Sequence, residues 1–340
     1  MKKKVILDCD PGSDDAVAIM LAWFSDDIDL MAITTVNGNR IVPKTTENAL
    51  RMVQFLHAGV PVYRGCGDPI ICNEIPSRKP NLPRVTLNDC HGDFLPLPEA
   101  KIQPQPEHAV FYLVRTLMES DGDIYVAATA PLTNIAMALR IEPRIAGKIK
   151  QLVIMGGAIC GANASPSAEF NFYADPEAAK IVMDTDIPKV ILPLDATWRA
   201  CITEEQCQEL AALGTPAAKF AATMSQKRID NLKVNDISQH NFDLRHTPGT
   251  VASAVLYRYD NTMAPIHDVL TIAYLIDPSV ITEWVDANVD IEIMSGICDG
   301  RMVADIHNTK KGRDPVTARV ALNADAAKFT AMLFENLGRK

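Results

Sequence analysis

The chain has 340 residues, 48% of them hydrophobic and 22% charged, which is globular usage and excludes disorder as the main state. It carries 33 basic against 42 acidic residues, net −9, with no Lys/Arg cluster beyond Met1–Lys4 and Lys310–Arg313, which excludes a nucleic-acid binder. No apolar run approaches the roughly 18 residues of a membrane span, and the first apolar run is too short for a secretory signal. Eight scattered cysteines without a CxxC pair argue against a zinc ribbon and for free thiols in the cytoplasm.

Along the chain, short apolar strands precede helices. Val5–Leu7 predicts a strand and Asp14–Phe24 a helix. Leu30–Val36 predicts the next strand, and Thr45–His57 the next helix. The pattern continues with a strand at Ile124–Thr129, a helix at Pro131–Leu139, a strand at Leu152–Met155, a helix at Asp175–Asp184 and a strand at Val190–Leu194. Near-continuous apolar strands alternating with helices predict an α/β fold: an open, mostly parallel central sheet flanked by helices. Ligands in such sheets sit beyond the carboxyl ends of the strands. Polar residues recur there: Asp8 and Asp10, Asn37 and Asn39, Thr129 and Asp195. Two stretches break the pattern. Asp68–Pro106 reads as a long surface loop of the kind that forms lids, and Arg228–Pro248 as a second mobile wall. Neither marks a domain boundary, so one domain over 1–340 is expected.

The stretch DCDPGSDD puts Asp8, Asp10, Asp14 and Asp15 into eight positions. Asp8 and Asp10 share a face if the strand continues, because side chains alternate. Asp14 and Asp15 fall in the first helical turn, where the macrodipole favours carboxylates. Four carboxylates this close repel unless a cation screens them, and an oxygen-loving ion, Ca²⁺ or Mg²⁺, is the natural partner. The plain alternative is a helix cap with solvated acids. A rival enzyme also fits this motif alone: haloacid-dehalogenase-like phosphatases begin with a strand and a DxD. Here Pro11 follows the motif, and no later GDxxxD appears.

Further motifs follow in order: Gly38–Asn39 with Thr45–Leu50, Thr129 before PLTNIA at Pro131–Ala136, MGGA at Met155–Ala158, AEFN at Ala168–Asn171, Asp175–Pro176, PLDAT at Pro193–Thr197, and His267–Asp268. With the opening DCDPGSDDAVA, Asp8–Ala18, they resemble the inosine–uridine-preferring nucleoside hydrolase family over most of the chain. The resemblance implies that Asp10, Asp15 and Asp268 bind Ca²⁺ through carboxylates and Thr129 through its backbone carbonyl. It implies that Asp14, Asn163, Glu169 and Asn171 hold ribose hydroxyls, that Asn39 faces the ribose and the reacting water, that Met155 packs near the sugar, and that His267 sits by the nucleobase. A ribonucleoside substrate, a role in nucleoside salvage and a homodimer or homotetramer are implied with them.

The chemistry agrees with these roles. Cleaving an N-glycosidic bond develops oxocarbenium character on the ribose and negative charge on the leaving base. Such a site needs an activated water, with Asp10 to take its proton, and an acid for the base, with His267 as the candidate. Taken alone, Asn163, Glu169 and Asn171 read as a turn, Asn39 likewise, Thr129 as a strand end, and Asp268 as a helix cap. The order of the motifs brings them to one site. His91, His240 and His246 read individually as surface loop residues, and Trp198 as core or pocket wall. Two departures bear on the base. Relatives carry HGxDGLG where this chain has HGDFLPLPE from His91 to Glu99, and Trp198 follows PLDAT where a His is common. The reading is therefore a Ca²⁺-dependent ribonucleoside hydrolase, with a metal-dependent phosphatase and a nucleoside-binding protein without turnover as alternatives.

Overall fold

A computed structural model of the chain describes residues 2–75, 91–234, 262–294, 296–307, 316 and 318–339. In chain order the strands are β1 (Lys3–Cys9), β2 (Ile28–Thr35), β3 (Val62–Arg64), β4 (Ile124–Ala128), β5 (Ile149–Met155), β6 (Lys189–Leu192), β7 (Cys201–Thr203), β8 (Met263–Pro265), β9 (Ile281–Ile291), β10 (Met302–Asp305) and β11 (Ala318–Ala324). The α-helices are α1 (Ser13–Phe24), α2 (Val42–Phe55), α3 (Ala109–Glu119), α4 (Thr133–Ile141), α5 (Phe170–Ala174), α6 (Pro176–Met183), α7 (Leu194–Thr197), α8 (Glu204–Ala212), α9 (Pro216–Val234), α10 (Val269–Ile276) and α11 (Ala326–Leu337).

Nine strands form one sheet in the order β10-β9-β11-β6-β5-β4-β1-β2-β3. The seven from β11 to β3 run parallel, and β9 joins β11 and β10 in antiparallel pairings at one edge. The mostly parallel sheet flanked by helices is the expected fold class; the antiparallel edge adds strands outside that reading, although apolar and polar residues alternate from Val285 to Ile291 as in a strand with one covered face.

The strands are apolar on both faces because helices cover both. Along β1, Val5, Leu7 and Cys9 enter one core with residues of α1, α2, α9, α10 and α11, while Ile6 enters the other with residues of α3, α4 and α6. Helix α1 is buried from Ser13 through Ala22, which is why DDAVAIMLAWF lacks a solvent face. Among the described residues, no helix is long and apolar enough to cross a membrane.

The chain lays β2 and β3 on one side of β1, then crosses back to lay β4, β5 and β6 on the other. The strand order thus reverses between β1 and β4, and such a switch point opens a crevice at the carboxyl ends of the strands. Beside it, β7 and β8 form a short antiparallel pair, tied further by the Ile266 N–H donating to the Ala200 carbonyl at 2.9 Å. That pair delivers His267 and Asp268 to the start of α10.

Candidate active site

At the switch point, β1 ends at Cys9 and Pro11–Gly12 turns the chain into α1. The Gly12 N–H donates to Asp15 Oδ2 at 3.0 Å, so Asp15 closes the helix start from inside while its other oxygen accepts from the Thr129 hydroxyl at 3.0 Å. The Thr129 N–H donates to the Asp8 carbonyl at 2.9 Å, which joins the ends of β1 and β4. Asp268 arrives from the far side. Oxygens of Asp14, Asp15 and Asp268 all lie within 4.8 Å of one another, and all three residues are buried.

Asp10 is not one of that trio but stands beside it, where its charge and those of Asp15 and Asp268 act on one another. Its Oδ2 accepts from the Asn39 N–H at 2.5 Å, and its Oδ1 is buried with no hydrogen-bond partner among the described residues. The Asn39 side-chain amide donates to the Asp10 carbonyl at 3.2 Å and to Asp15 Oδ2 at 3.4 Å. Close backbone approach makes this possible: a Cβ on Gly38 would collide with the Asp10 carboxylate. Asp8 does not join the cluster. It is fully buried and accepts from the Thr34 hydroxyl at 2.5 Å and the Asn134 amide at 2.8 Å, tying β1 to β2 and α4. The sharing of a face by Asp8 and Asp10 ends with the strand at Cys9.

Electrostatics separates the carboxylates. Burial, then the charge of Asp15, pushes Asp10 well above the ordinary range. Burial, then Asp14, raises Asp15 to about 6. Burial, then Asp14, Asp15 and Asp10 in turn, raises Asp268 well above it. Asp14 moves the other way. Burial works to raise it, but Arg228, His91 and His267 outweigh burial and hold it ionised. A group of buried carboxylates that resist ionising together, with one oxygen left unpartnered among the described residues, is what a hard cation with oxygen ligands would satisfy. The donor set, all oxygen, fits such an ion.

The remaining expected residues surround this cluster. The Asn171 amide nitrogen lies 3.3 Å from the Thr129 carbonyl, 3.1 Å from the Met155 carbonyl and 3.3 Å from Met155 Sδ, bridging the ends of β4 and β5. Glu169 caps α5: Oε1 accepts from the Asn171 N–H at 2.8 Å, and Oε2 from those of Gly157 at 2.8 Å and Phe172 at 3.2 Å. Burial raises it to about 7 against those donors. Asn163 is exposed, and its Oδ1 accepts from the Phe170 N–H at 2.8 Å, so it braces the same loop from outside. Buried His267 places Nδ1 2.8 Å from the Thr197 hydroxyl, and its ring meets Trp198 edge-on at 4.9 Å. Trp198 also packs on Met155, Ala158 and Leu194, which makes it wall.

Two residues outside the expected set reach the cluster. His91 is more than a surface loop residue: Nδ1 accepts from the Ser13 N–H at 3.2 Å and lies 3.7 Å from Asp14 Oδ1. Its segment is fastened to α2. The Leu95 N–H donates to Asn48 Oδ1 at 2.9 Å, and Arg51 Nη1 donates to the Leu95 and Leu97 carbonyls at 3.1 Å each. Arg228 of α9 donates to Asp14 Oδ1 at 3.0 Å. Of the two expected mobile stretches, residues 76–90 and 235–248 lie outside the described residues, His240 and His246 with them.

The chain matches the inosine-uridine preferring nucleoside hydrolase family over residues 5–331. It belongs to that family and is a hydrolase of N-glycosyl bonds. It is 37% identical to the pyrimidine-specific ribonucleoside hydrolase RihB of Escherichia coli, over 98% of this chain and 96% of that protein. Identity to the Shigella sonnei protein of the same name is 38% with the same coverage. Among solved structures, a plant nucleoside hydrolase, PpNRh1, superposes with a TM-score of 0.85 at 27% identity, covering 100% of both chains. A purine-preferring ribonucleoside hydrolase from Gardnerella vaginalis superposes with a TM-score of 0.83 at 25% identity, over 99% of this chain and 98% of that one. Neither the phosphatase nor the binding-only reading is favoured by these relationships.

Proposed function

We propose that this protein is a Ca²⁺-dependent hydrolase of ribonucleosides, pyrimidine ribonucleosides first, releasing ribose and free base in nucleoside salvage. The observation that carries the reading is the buried, mutually repelling carboxylate group at the switch point, Asp14, Asp15 and Asp268, beside an Asp10 oxygen that has no partner among the described residues. The pyrimidine preference rests on the two pyrimidine-specific relatives at 37% and 38% identity.

Asp10, Asp15 and Asp268 would hold the ion with the Thr129 carbonyl. Bound there, calcium supplies positive charge that acidifies a water and templates vicinal ribose hydroxyls. Asp10 Oδ1 takes the proton from the attacking water as the water oxygen bonds to C1′ and the C1′–N bond breaks. Asp14, Glu169 and Asn171 hold the ribose hydroxyls, since carboxylates accept from them and amides both accept and donate. Asn39 fixes Asp10 and faces the ribose, and Met155 packs against the sugar. Negative charge around the sugar favours its cation-like state. His267 delivers a proton to the departing base, while Trp198 walls that side of the pocket. The seven described cysteines are all free thiols, in keeping with a cytoplasmic setting, and a homodimer or homotetramer is the assembly the resemblance implies.

Measuring ribose released from uridine, cytidine and inosine beside phosphate released from a phosphomonoester tests the reading. Ribose from the nucleosides, with uridine and cytidine ahead of inosine, is the expected result. Phosphate release without ribose release overturns it.

A further inference from the structure

Helix α9 reaches the carboxylate cluster through one side chain. Arg228 is buried, and its Nη1 donates to Ser13 Oγ at 2.9 Å and to Asp14 Oδ1 at 3.0 Å. Side chains on both sides of this ion pair are under one tenth exposed. Asp14 stands within 4.8 Å of both Asp15 and Asp268, so distance alone gives a cation equal claim to all three. Charge does not. A guanidinium against Asp14 already balances one negative charge where water cannot screen it, and a divalent ion on the same carboxylate would set two cationic centres on one group. Asp10 and Asp15 are differently partnered: the Asn39 and Gly12 N–H groups, the Asn39 amide and the Thr129 hydroxyl donate to them.

We propose that Arg228 is a positioning residue that withholds Asp14 from the metal's ligand set and aims it at the ribose. One guanidinium nitrogen grips both Ser13 and Asp14, so the first turn of α1 and the Asp14 rotamer are set together. The same positive charge lowers the cluster's affinity for a cation, which keeps the ion from drawing Asp14 inward. This rests on the hydrolase reading above and adds a residue from a helix that the motifs of the family resemblance do not include.

Calcium titration of chelator-stripped protein by calorimetry, with kcat/KM for uridine and 2′-deoxyuridine, tests the proposal. Arg228→Gln should bind calcium about 10-fold more tightly, while its preference for uridine over 2′-deoxyuridine shrinks at least about 10-fold. A residue needed only for folding would weaken both. Arg228→Lys keeps the charge and should stay within about 3-fold of wild type in calcium affinity. Asp14→Asn, nearly isosteric, covers the case in which Arg228→Gln does not fold: it should lose less than about 100-fold in calcium affinity, the range of a residue outside the ligand set. Weaker calcium binding in Arg228→Gln, or a larger loss in Asp14→Asn, overturns the proposal while an active wild type leaves the hydrolase reading standing. A wild type that releases no ribose from any ribonucleoside overturns both.

Discussion

Thr197 Oγ1 and His267 Nδ1 lie 2.8 Å apart, one from the last position of α7 and the other from the turn before α10. The contact fixes the imidazole by one nitrogen and directs the other edge of the ring away from Thr197. The expected consequence is a loss of leaving-group protonation in His267→Ala, with hydrolysis of natural nucleosides depressed by about 10²–10⁴-fold. A nitrophenyl riboside needs no proton on its leaving group and should be cleaved almost normally by the same variant. Equal slowing of both substrates would assign His267 to structure or sugar binding.

Asp10→Ala should abolish turnover and weaken metal retention, because under the proposed mechanism it removes both a ligand and the group that accepts the water's proton. Exhaustive chelation of the wild type should do the same, reversibly on adding calcium. Elemental analysis giving stoichiometric zinc and no calcium, or full activity after chelation, contradicts the assignment.

The proposed ribose contacts predict discrimination by hydroxyl. Asp14, Glu169 and Asn171 are all buried, so a substrate lacking the 2′-hydroxyl leaves a polar partner unpaired. Selectivity on the order of 10⁴-fold in kcat/KM for uridine over 2′-deoxyuridine is the scale where a site depends on the hydroxyl. Equal values for the two substrates would remove these residues from the ribose.

Stability should depend on pH and metal together. Burial raises Asp8, Asp15 and Asp175 from 3.8 to about 6 and Glu169 from 4.5 to about 7. A carboxyl with a raised folded pKa binds its proton more tightly when folded. Its contribution is complete below the unfolded value near 4 and is lost as pH rises through 6 to 7. Chelated protein should therefore have a higher Tm near pH 5 than near pH 8. Calcium should raise Tm strongly at pH 8 and little at pH 5, where protons occupy its ligands. A chelated protein that gains stability from pH 5 to pH 8, or an equal calcium effect at both, counts against the buried cluster as the site of binding.

Much of this arrangement was legible before any coordinates. Four aspartates in eight positions have no cation interleaved among them, so their need for a counter-charge can be read directly. The parallel sheet follows from apolar strands that leave no solvent face. Arg228 was not legible as a partner of Asp14, because 214 positions separate them and the polar stretch from Arg228 onward reads as a mobile wall, whereas Arg228 lies inside helix α9. His91 passed for a loop residue because its anchors, Asn48 and Arg51, lie on α2, about 40 residues earlier in the chain. Asn163 shows the opposite case. Its motif context points into the site, yet its side chain braces the loop at the surface.

Gly12 and Gly38 carry a consequence for how such a site can change. A Cβ on Gly12 would run into the His91 ring, and one on Gly38 into the Asp10 carboxylate. The floor of the crevice is thus backbone pressed directly against working side chains, with no room for a substitution to be absorbed. Variation that alters which base is accepted must enter from the walls, through residues such as Trp198. The floor is thereby closed to side-chain change, and the walls are left to carry it. Directed evolution toward a new nucleobase should accordingly collect its productive mutations around the rim and recover none at either glycine.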